Sequence, residues 1–473
     1  MLNNKRLIIM FKGKSNSTSK RSVCIIGAGA AGICALRHFT DHVDHFNPIV
    51  CYEQIDNVGG TWNYTEQTGI DKYGLPIHSS MYRDLQSVFD TLLINPLLIN
   101  SFYFYSTNLP MQVMAYPDFS WEHTQSFVHH SLVLKYLEDY AKHFNILPYI
   151  SFSTRLEKLQ RYNNQWKVVI KRLEDSQFET HYYDIVIIGT GRHSFPHYPP
   201  LESISKFNGN IIHSHDYRHR ESFHGKRIAV IGGGPSGFDL VIELSTVASF
   251  IIFVNRGPNQ FENLPINIEQ LQGEIVDEFD ENLIRIQMKQ SGELKQFLID
   301  CIIFATGYQF DFNCYEDIGL HLNTDDTIDG LYRHMINIQQ PTMLMLGVCQ
   351  RGVLPFPLYH QQILCFLKLM IGEIPMPSIE EMEQDVKEYD QLRKSLDIRD
   401  VDRHSLKPGI FHHYIDSLEC FGQLKPLSKG VLKLHLDLNQ IRIKNLIGYK
   451  KMTFKVTDDD YQLVSENEDG DLM

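Results

Sequence analysis

The sequence predicts an α/β fold of two doubly wound domains, the second inserted within the first. Three observations carry that prediction. A short apolar strand runs into a glycine turn and an apolar helix twice, over Val23–Phe39 and again over Arg227–Leu244. A further apolar strand follows each unit, reaching Glu53 in the first case and Asn255-Arg256 in the second. Two other segments, Tyr183–Gly191 and Leu298–Gly307, are apolar strands that end in glycine turns and are placed to carry the chain between domains. Repeated strand–turn–helix–strand units are what a parallel sheet covered by helices requires.

In the first unit, Val23–Ile26 is the strand, GAGAAG (Gly27, Ala28, Gly29, Ala30, Ala31, Gly32) the turn, and Ile33–Phe39 the helix. The first glycine permits the tight turn, the second lets backbone approach a pyrophosphate, and the third lets helix pack closely on strand. Ile49–Tyr52 then ends at Glu53, where a carboxylate accepts hydrogen bonds from ribose hydroxyls. In the second unit Gly232, Gly234 and Gly237 repeat the spacing between the strand Arg227–Ile231 and the helix opening at Phe238. Its following strand, Phe250–Val254, ends in Asn255-Arg256, and a guanidinium there binds a 2′-phosphate that a carboxylate would repel. Two Rossmann-like domains of opposite ribose chemistry suggest a hydride relay: FAD in the first, NADPH in the second. The expected division is a basic leader over 1–20, an FAD-binding domain over 21–200 and 306–457, an NADP-binding domain over 201–305, and an acidic tail over 458–473. Pro196, Pro199 and Pro200 stiffen the first crossing.

Composition sets outer limits. The chain has 473 residues, 43% of them hydrophobic, so it is long enough for two or three domains with their own cores. Its 44 basic and 57 acidic side chains give a formal charge of −13, which argues against a nucleic-acid or anionic-membrane partner. Eight cysteines form no C-x-x-C pair, and Cys24, Cys34 and Cys51 sit among apolar neighbours as buried thiols of a reducing compartment. The same absence removes a disulfide reductase from consideration. No apolar run approaches the roughly 18–20 residues of a membrane-spanning helix. A cytoplasmic location is expected, with peripheral association with the endoplasmic reticulum as the variant. The 22 histidines are scattered, and no metal site is expected.

The segment Phe207–Tyr217 matches F-x-G-x-x-x-H-x-x-x-Y/F through Phe207, Gly209, His213 and Tyr217. By composition alone it is a polar loop with structural histidines. In this place, directly before the second unit, it resembles the identifying motif of the flavin-containing monooxygenase family. The resemblance runs from about Arg21 to about Lys429. GAGAAG resembles the family's FAD motif, GGTW (Gly59–Trp62, with Thr61 and Trp62) its flavin-side turn, and GGGPSGFD (Gly232–Asp239, with Ser236, Phe238 and Asp239) its NADP motif. TNLP at Thr107–Pro110 resembles the segment carrying its active-site asparagine, here Asn108. FATGY at Phe304–Tyr308 resembles the return crossing, and Gln362 lies where the family places a glutamine near the flavin.

The resemblance implies that NADPH reduces FAD, that O2 forms a flavin C4a-hydroperoxide, and that a soft amine nitrogen or thioether sulfur of a small molecule takes the distal oxygen. It implies that Asn108 contacts nicotinamide or the oxygen, that NADP stays bound to exclude water, and that a homodimer is compatible with the fold. The alternatives are a Baeyer–Villiger-type or N-hydroxylating monooxygenase, the former usually ending this motif in tryptophan where Tyr217-Arg218 stands. One stretch departs from the family pattern. Ser87–Ser106, apolar with Asp90 its one charge, separates MYRDLQ from TNLP. Its AT-rich codon composition and Phe-Tyr-Phe-Tyr-Ser ending read as a retained intron or gene-model error; the competing reading is an apolar lid over the substrate cleft. If translated, the segment enters just ahead of Asn108, and a flavin- and NADP-binding protein inactivated by it is the remaining alternative.

Overall fold

The computed structural model describes residues 20–79, 107–257, 261, 264–349, 352–406, 408–445 and 448–466. Ser87–Ser106 lies outside them, as does the basic leader save Lys20.

Strand β1 (Arg21–Ile26), helix α1 (Ala30–Thr40) and strand β2 (Phe46–Tyr52) form the first unit. β1 is an interior strand of a seven-stranded sheet. It pairs in parallel with β2 on one side, which pairs in turn with β3 (Ile150–Ser151). On its other side it pairs with β7 (Ile185–Ile188), and beyond that lie β20 (Met343–Met345), β19 (Ile336–Asn337) and β18 (Leu331–Tyr332). β1 is apolar throughout because both its faces are covered. Val23 and Ile25 face the cluster containing Ile33, Leu36 and Phe39 of α1, whereas Cys24 and Ile26 face Trp166 and Val168. The latter belong to an antiparallel layer of β4 (Thr154–Tyr162), β5 (Gln165–Arg172) and β6 (Phe178–Tyr183), to which β15 (Tyr315–Glu316) adds in parallel, while β16 (His321–Leu322) and β17 (Ile328–Asp329) pair antiparallel by themselves. Each fully buried aliphatic side chain here contributes roughly 1.5–3 kcal/mol.

The second seven-stranded sheet draws every strand from between Asn210 and Phe304. Its order is β13 (Leu294–Leu298), β12 (Leu283–Met288), β11 (Ile268–Ile275), β10 (Phe250–Asn255), β9 (Arg227–Ile231), β14 (Cys301–Phe304) and β8 (Asn210–His213). Its parallel half is β11-β10-β9-β14-β8. The first sheet takes strands from both sides of this stretch, so the second domain is nested in the first. The two crossings meet as a ribbon: Pro196 bridges Tyr308, His197 N–H donates to Gly307 O at 2.9 Å, and Gln309 N–H donates to Phe195 O at 2.9 Å.

Short helix α2 (Met111–Met114), α3 (His130–His143) and α4 (Pro235–Leu244, on the second sheet) precede the C-terminal helices α5 (Pro355–Ile371), α6 (Ile379–Ser395), α7 (Pro408–Gly422) and α8 (Lys429–Lys444). Two expectations change. Phe207–Tyr217 is not a plain loop: it holds β8, an edge strand whose His213 pairs with Phe304. The stretch from 458 does not begin a tail. Tyr461–Glu466 is strand β22, paired antiparallel with β21 (Met452–Val456), and the turn between them is fastened to the start of α8. There the Ser428 hydroxyl donates to Thr457 O at 3.0 Å, and Lys433 pairs with Asp460 at 2.8 Å. The alternation Tyr461-Gln-Leu463 is the strand signal that the acidic composition hid.

Candidate active site

The first glycine turn is shaped by contacts that exclude side chains. Gly27 has φ +95°, and a Cβ on Gly32 would stand 1.7 Å from Gly27 O, so α1 can sit on β1 only with glycine there. The turn Gly59–Trp62 folds against it: Gly59 N–H donates to Ala28 O at 3.0 Å, and a Cβ on Gly60 would lie 3.1 Å from Gly29 Cα. Two glycine turns thus face each other with bare backbone. Glu53 is buried at the end of β2, its carboxylate accepting from Ala28 N–H at 2.6 Å and Ile55 N–H at 2.9 Å. Burial pushes its carboxyl above the ordinary range, and those backbone donors oppose the shift. Ala30 O accepts the Tyr116 hydroxyl at 2.6 Å, Ala31 is buried within α1, and Thr61 donates to Ser79 O at 3.0 Å. Trp62 packs partly buried against the core of this domain.

The second turn repeats the construction. Gly232 has φ +128°, and a Cβ on Gly237 would come 2.0 Å from Gly232 O. A Cβ on Gly234 would meet nothing within 4 Å, so the backbone at the N-terminus of α4 is open to a ligand there. Ser236 lies half-buried in that first turn, and the Phe238 ring stacks edge-on against Phe261 at 4.7 Å. Asp239 pairs with Lys450 at 3.0 Å, reaching out of its domain to the C-terminal segment. Arg256 sits exposed just past β10 and pairs with Glu274 at 3.1 Å. An exposed pair contributes about 0–1 kcal/mol, so the guanidinium is easily diverted to a phosphate.

Asn108 lies where the C-terminal segment meets the first domain. Its carboxamide oxygen accepts from the Tyr449 hydroxyl at 3.4 Å and its main-chain carbonyl from Arg442 at 3.2 Å. Its Nδ2 is buried and has no hydrogen-bond partner among the described residues. Lys450, next to Tyr449, joins this corner to α4 through Asp239. Gln362 is buried in α5, and its Nε2 donates to the Tyr414 hydroxyl at 2.8 Å. Tyr414 in turn donates to Arg333 O at 3.0 Å, so this amide nitrogen serves an interior network.

The Phe207–Tyr217 motif shapes the second domain where it joins the first. A Cβ on Gly209 would fall 2.5 Å from the Phe207 ring, which packs edge-on to Phe279. His213 is buried, and its Nδ1 accepts His215 N–H at 3.0 Å. Burial first, and then His215, drives its imidazole down to about 4, so the ring is neutral at neutral pH. Tyr217 hydrogen-bonds the buried Glu243, whose carboxyl burial pushes up to about 8. In the sequence the next residue, Arg218, served only to mark the end of the motif, and nothing there pointed to a role between domains. Buried between the domains, it donates to Thr65 O at 3.0 Å and Gln67 O at 2.7 Å in the first domain. It also donates to His215 O at 2.8 Å and Tyr217 O at 2.9 Å in the second.

The residues present fit the two expected nucleotides. Backbone at Gly29, Gly60 and Gly234 lies where side chains are excluded or missing, a buried acid ends β2, a cation ends β10, and a buried amide lacks an acceptor. The chain matches the family model described as flavin-binding monooxygenase-like over residues 100–260 and 273–448. It is 26% identical over 459 residues to senecionine N-oxygenase of Tyria jacobaeae, covering 96% of this chain and 93% of that protein. It is 27% identical over 380 residues to trimethylamine monooxygenase of Roseovarius sp. (strain 217), covering 78% and 79%. Among solved structures, S-allyl-L-cysteine S-oxygenase from Allium sativum superposes with a TM-score of 0.78 at 23% identity, covering 93% of this chain and 96% of that one. No helix among the described residues is long and apolar enough to cross a membrane. The chain therefore belongs to the flavin-binding monooxygenase-like family and is an FAD- and NADPH-dependent monooxygenase.

Proposed function

We propose that this enzyme oxygenates soft nucleophilic nitrogen or sulfur in small molecules, a tertiary amine or a thioether, and that Asn108 acts at the reacting centre. The names senecionine N-oxygenase and trimethylamine monooxygenase among its relatives, and S-allyl-L-cysteine S-oxygenase among the solved structures of this fold, support the substrate class. FAD, when bound, supplies the redox centre at which O2 is activated by electrons from NADPH. The chain's residues bind and orient. The Gly27–Gly32 and Gly59–Trp62 turns leave backbone bare for the flavin's pyrophosphate, and Glu53 receives the ribose. Gly234 and the α4 N-terminus receive the second pyrophosphate, with Arg256 for the 2′-phosphate. Arg218 holds the two domains together, which keeps water from their junction.

The observation that carries this reading is the orphaned Asn108 Nδ2. An unpaired buried N–H costs about 1–3 kcal/mol, and a bound carboxamide or oxygen acceptor removes that cost. Arg442 and Tyr449 hold the rest of the residue, so the free N–H pair is aimed rather than loose. The test is Asn108→Ala. The variant keeps its yellow flavin and consumes NADPH, but forms no N-oxide or sulfoxide. Full product formation by this variant overturns the assignment of Asn108. A wild-type protein that binds flavin and oxidises NADPH yet oxygenates neither substrate class overturns the function itself.

A further inference from the structure

A cluster of metal-ligating side chains lies buried against α1, among residues that the proposed chemistry does not use. Cys34 and His38 stand four residues apart on one face of α1. His360 approaches them from α5, and the donor atoms of these three residues all lie within 4.8 Å of one another. Asp118 joins from the segment after α2. Its Oδ1 is 3.5 Å from His360 Nδ1 and its Oδ2 3.9 Å from His38 Nε2, while the two imidazole nitrogens are 3.1 Å apart. Both Asp118 oxygens are buried and accept no hydrogen bond among the described residues, although Arg37 Nε lies 3.4 Å from Oδ2.

We propose that Cys34, His38, His360 and Asp118 form a structural zinc site. Four-coordinate zinc holds nitrogen, oxygen and sulfur at about 2.0–2.3 Å, which places its ligand atoms roughly 3.3–3.7 Å from one another. The separations among the two imidazoles and the carboxylate, 3.1 to 3.9 Å, bracket that range, and the Cys34 sulfur lies within 4.8 Å of both imidazoles, so side-chain rotations are needed to bring all four about one ion. Four protein ligands, one thiolate, two imidazoles and one carboxylate, leave no position for water, which is what distinguishes a structural site from a catalytic one. The charges also balance. Zinc replaces the thiol proton of Cys34, which leaves to solvent, and the two anions then neutralise the ion. Arg37 remains as the outer partner of Asp118, the arrangement that orients a ligating carboxylate. The ion ties α1, whose first turn builds the flavin-binding glycine turn, to α5 and to the segment that Tyr116 anchors on Ala30 O. It is a brace for the first domain and takes no part in oxygen chemistry.

The test uses the flavin-loaded protein, produced without a metal-binding tag in zinc-supplemented medium and dialysed. Elemental analysis should find about one zinc per flavin in the wild type. Cys34→Ser and His360→Gln should lose it while keeping their flavin spectrum. Cobalt exchanged into the wild type should give the intense ligand-field bands of a four-coordinate site, at wavelengths beyond the flavin absorption. Wild-type protein with no stoichiometric zinc and no such cobalt spectrum overturns the proposal, whether or not the variants fold. Zinc retained in full by both folded variants overturns it as well.

Discussion

Replacing Arg218 by methionine keeps the stem of the side chain and removes all four of its donated hydrogen bonds. Two of these, to Thr65 O and Gln67 O, cross between domains, and two bind the end of the motif itself. A hydrogen bond from a charged donor contributes about 1.5–3 kcal/mol. Against this stands the burial of the guanidinium, whose cost shows in the downward push on its pKa, desolvation being the largest cause. Taking the two interdomain bonds and returning part of the desolvation leaves a net loss of about 2–4 kcal/mol at the junction. That loss falls on the contact between domains rather than on either core. The variant should therefore bind flavin normally, be cleaved faster by protease around residues 64–69, and form less product per NADPH oxidised. Arg218→Lys should fall between, because an ammonium keeps the charge but cannot span four carbonyls. If Arg218→Met matches the wild type within about 0.5 kcal/mol of stability, with the same product-to-NADPH ratio, the reasoning is refuted.

Other predictions follow from single groups. Glu243 is buried with its carboxyl raised to about 8, above the unfolded value of about 4.3. The folded chain keeps a proton that the unfolded chain releases, so stability falls as pH rises between those values, by up to about 1.4 kcal/mol per pH unit. Glu243→Gln should abolish that slope in denaturant titrations across the window, and an unchanged slope would count against the buried acid. Arg256→Ala breaks only an exposed pair with Glu274, so folding should be unaffected while preference for NADPH over NADH drops about tenfold or more. Steady-state kinetics with both dinucleotides would show an intact preference if Arg256 does not meet the 2′-phosphate.

The parts of this molecule visible in the sequence are those whose cause is local. β1 and β9 read as buried strands because both faces are covered, which forces an uninterrupted apolar run. The glycine triads read as nucleotide turns because Gly32 and Gly237 are each required by a carbonyl within their own turn. Strand β8 was hidden because its four residues lie at a sheet edge and carry polar neighbours. Arg218 looks like any surface cation until the fold brings Thr65 and Gln67 to it. The metal-ligating cluster was hidden for the same reason: His38 and His360 stand 322 residues apart in sequence. Only Cys34 and His38, at helical spacing, offered a local signal, and amid apolar neighbours it read as core.

The ribbon formed by the two crossings has a consequence for the order of assembly. β7 is made early, but the strand that covers its far edge, β20, is made only after the whole inserted domain, Met343 pairing with Val186. Until then β7 presents an open apolar edge of the kind that recruits other chains. The insert can close on its own, since β8 and β14, its first and last strands, lie side by side. Once closed it brings Pro196 beside Tyr308, and the distant pairing of β20 with β7 becomes the closure of a much shorter loop. The inserted domain would thus act as a splint for its host during synthesis. A substitution that slows folding of the insert would lower the yield of soluble flavoprotein even though it leaves every flavin contact untouched.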